Sequence, residues 1–279
     1  MEPLASETLG VRSMSVRIGS IVIDPSASLA PRRYGLPPHP VEWEALVDAV
    51  KRIVKALERA EVVVITHYHR DHYNPGWLYD NSILDGKTLL IKDYKKNINV
   101  SQKIRAYKFL KEIKDLNVKV EIADSREFEL GDYKITFSPP LPHGKDEKLG
   151  YVLAVQINDI LYSSDVQGGP LKEHDWLLER DAKVLLLDGP PLYLRGFEIG
   201  REKEFIHSFK GEVVVDHHSA RSLDWRERLE VSKAYNDLLG VEEKLLEARR
   251  KELYQEKPVE DSWLKMKFRE MRELYLPLK

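Results

Sequence analysis

Val62-Val63-Val64-Ile65-Thr66-His67-Tyr68-His69-Arg70-Asp71-His72 sets an apolar β-branched run directly before three imidazoles and a carboxylate. A short run of Val and Ile reads as a strand that delivers the cluster at its end. Neutral imidazole and carboxylate are ligands of divalent metals such as zinc. Without a metal, neighbouring imidazoles repel when protonated and need many hydrogen-bond partners when buried, so packing alone is a poor reason for the cluster. The plain alternative is a solvated, His-rich loop. Cysteine is absent, so any metal must be held by His and carboxylates.

The rest of the 279-residue chain suits one large α/β domain, with 1–279 read as a single unit. Charged residues make up 32% but the net charge is only −2, so no global field draws the chain to nucleic acid or an anionic membrane. The mixture of Lys and Glu without Cys is thermophile-like in composition. No basic start with an apolar stretch opens the chain and no apolar run reaches spanning length, so the expectation is a soluble, cytoplasmic protein that does not enter membranes.

Outward from the His cluster, short β-branched runs alternate with amphipathic stretches. Strands are expected over 20–24, 62–65, 118–122, 127–130, 133–137, 151–157, 160–163, 183–187 and 212–215. A helix follows the Pro-rich loop 35–40, with Trp43, Leu46, Val47, Val50, Ile53, Val54 and Leu57 on its apolar face. Ser101 reads as the cap of a second helix with Ile104, Tyr107, Leu110 and Ile113 on one side. Further helices are expected over 171–180 and 202–209, and from Asp224 to Lys279 as a helical C-terminal extension. In that extension the charge run 242–251 reads as a solvated helix face.

Five more candidate residues stand at or after strand ends, where α/β folds gather their chemistry. Asp24 precedes Pro25, and a plain Asp-Pro turn is its other reading. His143 lies in the rigid loop Ser138-Pro139-Pro140-Leu141-Pro142-His143-Gly144, and Asp165 precedes a Gly-rich turn. His217 and His218 follow Val213-Val214-Val215-Asp216. Side-chain alternation at a strand end implies that only one of this pair faces the cluster.

The pattern HxHxDH after a strand resembles the signature of the metallo-β-lactamase superfamily, and Asp24, His143, Asp165 and His217 match its other motifs in order. The resemblance implies an αββα sandwich and two divalent ions, zinc by default with iron or manganese open. One ion would be held by His67, His69 and His143, the other by Asp71, His72 and His217, with Asp165 bridging and Asp24 supporting the loop. His217-His218-Ser219-Ala220-Arg221 resembles the H-x-S-x-R segment of tRNA 3′-end processing nucleases in that superfamily, which selects His217 as the ligand. Segments 6–13, 35–40, 187–191 and 216–218 together resemble a family of archaeal predicted metal-dependent hydrolases.

The activity implied is hydrolysis by a dinuclear metal-activated hydroxide on an ester, thioester, lactone or similar bond of a small molecule, with Asp71 at the reacting centre. His218, Arg221 and Tyr68 are near enough in sequence to serve the leaving group, and Tyr68 reads better as packing. A phosphodiesterase or nuclease acting on RNA or DNA is the alternative; the chain has no room for a β-CASP insertion and no recognisable substrate-clamping arm. A non-hydrolytic protein is a third reading, either a binding module on a dead site, which the complete ligand set disfavours, or an iron redox protein. His69 argues against it, because flavo-diiron relatives typically carry Glu there. The oligomeric state is open.

Overall fold

All four residues of Val62–Ile65 are buried, which requires cover on both faces of the sheet they join. The computed structural model describes residues 1–276 and supplies that cover. This strand, β4, lies parallel to Ile21–Ile23 (β3) and Thr88–Ile91 (β5). Glu2–Ser6 (β1), Met14–Ile18 (β2) and Lys119–Ile122 (β6) complete a sheet ordered β1-β2-β3-β4-β5-β6. The second sheet has the order β14-β13-β12-β11-β8-β7, built from Glu127–Leu130 (β7), Tyr133–Phe137 (β8), Val155–Ile157 (β11), Ile160–Tyr162 (β12), Val184–Leu187 (β13) and Glu212–Val215 (β14). Leu141–Pro142 (β9) and Tyr151–Val152 (β10) form a small separate hairpin.

Alternation along the strands sorts side chains into layers. Val62, Val64, Ile21, Ile23 and Leu90 meet Ile135, Phe137, Val155, Leu186 and Val214 between the sheets. Val63, Ile65, Leu89 and Ile91 face outward onto helix α1 (Pro40–Leu57) and helix α2 (Val100–Glu112). On the far side, Leu185, Leu187 and Val215 pack against Phe205 and Ile206 of α3 (Arg201–Ser208). The result is the αββα sandwich expected from the sequence.

Some local expectations are corrected. Strands β1, β2 and β5 were not legible, since short apolar runs fit strand or buried helix equally well. The expected strand 151–157 is broken at Leu153–Ala154, where Leu153 N turns aside to donate to Thr66 O at 3.1 Å. The stretch 171–180 holds only a 3₁₀ turn, Lys172–Trp176. Asn99, not Ser101, caps α2, its side chain accepting from Gln102 N at 2.8 Å. That cap turns Gln102, Ala106, Phe109 and Ile113 inward and leaves Ile104 and Tyr107 exposed.

Among the described residues after β14 the chain forms five short α-helices: α4 (Trp225–Leu229), α5 (Tyr235–Leu239), α6 (Arg250–Glu256), α7 (Asp261–Lys265) and α8 (Phe268–Tyr275). Trp225 and Leu229 pack on the second sheet's outer face, Tyr235 enters the inter-sheet core, and Leu253, Trp263 and Met271 join the layer around α1. Segment 242–251 is not a solvated helix face. It is irregular up to Arg249, with Leu245, Leu246, Glu247 and Arg250 buried. Glu247 takes Arg12 bidentately, both contacts at 2.6 Å, and Arg250 takes Glu42 at 2.7 and 2.8 Å. These partners lie more than 200 residues away in sequence, beyond the reach of any local pattern. Among the described residues no helix is long and apolar enough to cross a membrane.

Candidate metal centre

β4 ends at Ile65, and the chain then turns sharply, with His72 N and Tyr73 N both bonded to His69 O. The turn folds His67, His69, Asp71 and His72 back over the C-terminal edge of the sandwich. Asp24 at the end of β3 anchors it, accepting from Thr66 N at 2.8 Å, Thr66 Oγ1 at 2.6 Å and Tyr162 OH at 2.9 Å. The same carboxylate holds His72 Nδ1 at 2.7 Å, which aims His72 Nε2 at the centre.

Asp165, one turn beyond β12, sits among the imidazoles. Its Oδ2 lies 3.0 Å from His143 Nε2 and 3.4 Å from His67 Nε2. Its Oδ1 lies 3.1 Å from His72 Nε2 and 3.4 Å from His217 Nε2. His67, His69, His143 and Asp165 present ligand atoms within 4.8 Å of one another, as do Asp71, His72 and His217. His67 Nε2, His72 Nε2 and Asp165 Oδ1 are buried and, close as they lie, form no aligned hydrogen bond. Buried polar atoms are rarely left so, and three of them facing one another is the arrangement a cation completes. The residues present therefore fit divalent metal.

Titration behaviour has the same cause. Burial disfavours charge on His72, but Asp165 and Asp24 outweigh it and raise its pKa well above the usual value. His217 meets the same opposition from burial, and Glu7 and Asp165 lift it to about 10. His67 is pushed down to about 4 by burial and by the neighbouring His72. Burial would raise Asp71 and Asp165, yet His72 and His217 hold both below the carboxylate range. Protons on His72 and His217 thus occupy positions where a metal would compete with them.

The two consecutive histidines overturn the alternation argument. His217 adopts a left-handed backbone (φ 48°), so strand geometry has ended before it. Both rings turn toward Asp165, with centroids 4.4 Å apart and His218 Nε2 3.8 Å from Asp165 Oδ2. Their surroundings differ. His217 is fully buried, its Nδ1 held by Glu7 at 2.9 Å. His218 lines the cleft above the cluster, its Nδ1 held by Asp188 at 2.8 Å.

Arg221 also lines that cleft: its Nε donates to Glu7 at 2.6 Å, and an Nη lies 3.3 Å from His217 Nε2 and 3.7 Å from Asp71. Tyr68 is packed away, with its OH bonded to Lys92 O at 2.7 Å. Sequence reasoning missed Glu7 and Asp188 as imidazole partners. Asp188 follows β13 as Asp24 follows β3, so an acid at each strand's C-terminal end was the available signal. Glu7 lies in a turn far from the motifs and gave none.

The chain is 40% identical over 282 residues to a UPF0282 protein of Sulfurisphaera tokodaii, covering 90% of this chain and 92% of that protein. A UPF0282 protein of Korarchaeum cryptofilum is 40% identical over 299 residues, 97% of each chain. No family model matches. Among solved structures, a metal-dependent hydrolase of the β-lactamase superfamily is 15% identical, covering 84% of this chain and 93% of that one, with a TM-score of 0.49. A metallo hydrolase from the archaeon Ignicoccus hospitalis is 16% identical, covering 81% and 91%, with a TM-score of 0.44.

Proposed function

The chain belongs to the archaeal UPF0282 family, and we propose that it is a hydrolase working with two divalent metal ions in the His-Asp cluster. His67, His69 and His143 would hold one ion, and Asp71, His72 and His217 the other, with Asp165 shared. The observation that carries this reading is the division of Asp165: Oδ2 faces His67 and His143, while Oδ1 faces His72 and His217. Two carboxylates lower the net charge of a divalent pair from +4 to +2. With no thiolate available, zinc is the first metal to test, then iron and manganese.

When bound, such a pair supplies Lewis acidity and activates water, so the reaction needs no Ser or Cys nucleophile. The chain's own residues do the rest. Asp24 and Glu7 fix the rings of His72 and His217 through their Nδ1 atoms, setting which nitrogen faces the centre. Thr66 Oγ1 and Ser164 Oγ lie 3.2 and 3.3 Å from His67 Nδ1 and do the same for that ring. His218, backed by Asp188, faces the cleft with Nε2 and is placed to exchange a proton with the leaving group. The scissile bond is an ester, thioester, lactone or phosphodiester.

The test is elemental analysis of protein purified without chelator, followed by assays on p-nitrophenyl esters, a lactone, bis-p-nitrophenyl phosphate and single-stranded RNA. Close to two metals per chain and a turnover abolished by chelation are expected. No metal even after reconstitution would refute the reading.

A further inference from the structure

Beside the cleft over the imidazole cluster lies a second cavity of about 170 Å³. Arg12, Arg70 and Asp71 line both, so a molecule reacting at the cluster can reach into the second space. Trp43 and Leu46 of α1 form one wall, Phe268 and Arg272 of α8 another, and Trp77 of the loop after the His cluster a third. An apolar void on the order of 150 Å³ admits benzene, so this one takes a group the size of one aromatic ring. Trp43 also carries a buried Nε1 with no acceptor.

The charges around this space are unequal in their partners. Arg12 is matched by Glu247 and Arg221 by Glu7. Arg70, Arg105 and Arg272 have no carboxylate in salt-bridge reach among the described residues, and Arg105 has only the carbonyl of Tyr68, at 3.2 Å. The guanidinium carbons of Arg70 and Arg272 lie 4.2 and 4.4 Å from the centre of the same Trp77 ring. Two guanidinium groups without a carboxylate partner thus border the cavity, and an anion entering it supplies the missing counter-charge. Arginine is also the side chain best shaped to grip phosphate or carboxylate.

We propose that this second cavity binds the non-reacting end of the substrate: a phosphate or carboxylate held by Arg70 and Arg272, joined to an aromatic-sized apolar group packed on Trp43, Leu46 and Phe268. The substrate is then a small organic anion rather than a neutral ester. The C-terminal helix α8 thereby contributes directly to recognition. Only the statement of which end reacts rests on the hydrolase reading; the binding site does not.

Calorimetric titration of the metal-loaded, full-length protein tests the assignment, using phenylphosphonate and benzoate beside inorganic phosphate and benzamide. At least one of the two aromatic anions is expected to bind about tenfold or more tighter than both controls. Which of the two wins distinguishes phosphate from carboxylate recognition. Arg70→Ala and Arg272→Ala should each weaken it roughly tenfold, the worth of a charge-assisted hydrogen bond. Arg269→Ala, on the exposed side of the same helix, should change nothing. Arg70 is exposed, so its variant probes binding without endangering the fold. Aromatic anions bound no tighter than the controls, or with undiminished affinity by both arginine variants, would overturn the proposal. A protein that binds through these arginines yet hydrolyses nothing keeps this site and loses the hydrolase reading; a hydrolase indifferent to them does the reverse.

Discussion

The loop after β4 and the segment after β14 both carry charge into the interior, and they finish it differently. Around the loop, His67 Nε2, His72 Nε2 and Asp165 Oδ1 are buried and face one another without an aligned hydrogen bond. In the C-terminal segment, Arg250 and Glu42 are both buried and engage each other twice, while Arg250 also donates to the carbonyls of Ala30 and Leu36. Charge completed by the chain itself serves the fold. Charge left incomplete marks where something else binds. The contrast is physical, and each side can be broken separately.

The largest effect is expected on the incomplete side. His67→Ala with His69→Ala should remove at least one metal ion and reduce hydrolysis to background, read by elemental analysis and by whichever assay substrate is turned over. Urea denaturation of the metal-free forms should show little difference, because these imidazoles are not what completes the core. Full metal occupancy in the double variant would mean the cluster is not the site.

Next comes the pair His217 and His218, which share a face and to which different roles are assigned. His217→Ala should lower metal content and activity together, since its ring is held by Glu7 and reached only from within. His218→Ala should keep both ions and slow turnover by ~10²–10⁴, the usual worth of a positioned acid or base. Asp188→Asn should follow His218→Ala. Metal loss confined to the His218 variant would exchange the two assignments.

On the completed side, Glu42→Gln leaves the Arg250 guanidinium buried without its counter-charge. Breaking such a pair from one end costs about 3–5 kcal/mol. Chemical denaturation at neutral pH should show that loss with metal stoichiometry unchanged. A loss of metal instead would mean that the two regions are coupled and the contrast is drawn too sharply.

The same contrast explains what was legible in the sequence. The residues of the cluster could be picked out because coordination demands particular side chains at strand ends, and the seven proposed ligands stand at such places. Asp71, His72 and His67 are local to one turn. Glu7 acts only by reaching another ring across the fold, so no local pattern marks it, and Asp188 is marked only by its place directly after β13. His217 and His218 show the limit of a rule applied one residue too far: alternation stops where the strand stops, at Val215. In the C-terminal segment the amphipathic reading found Trp225, Leu229 and Leu246, which are buried, but took Glu247 and Arg250 as solvated. Charge runs look alike from sequence, and only partners near the other end of the chain separate a buried member from an exposed one.

The smallest expected effect concerns Glu247. Burial would raise its pKa, but the bonds and charge of Arg12, with Arg221 and Arg250 nearby, hold it down to about 2 against 4.5 for the free side chain. A carboxylate with a depressed folded pKa stabilises the fold fully above its unfolded pKa, and that contribution fades as pH falls through the folded one. The window is therefore from pH 4.5 down to about 2. The shift corresponds to no more than about 3 kcal/mol. Comparing Glu247→Gln with the parent isolates it, because histidine protonation and metal loss at low pH are common to both proteins and cancel in the difference. At pH 7 the variant should be less stable in urea, and the gap should narrow steadily below pH 4.5. A gap that stays constant down to pH 2 would show that Glu247 contributes by shape rather than charge. The two regions would then differ less in electrostatics than their hydrogen bonds suggest.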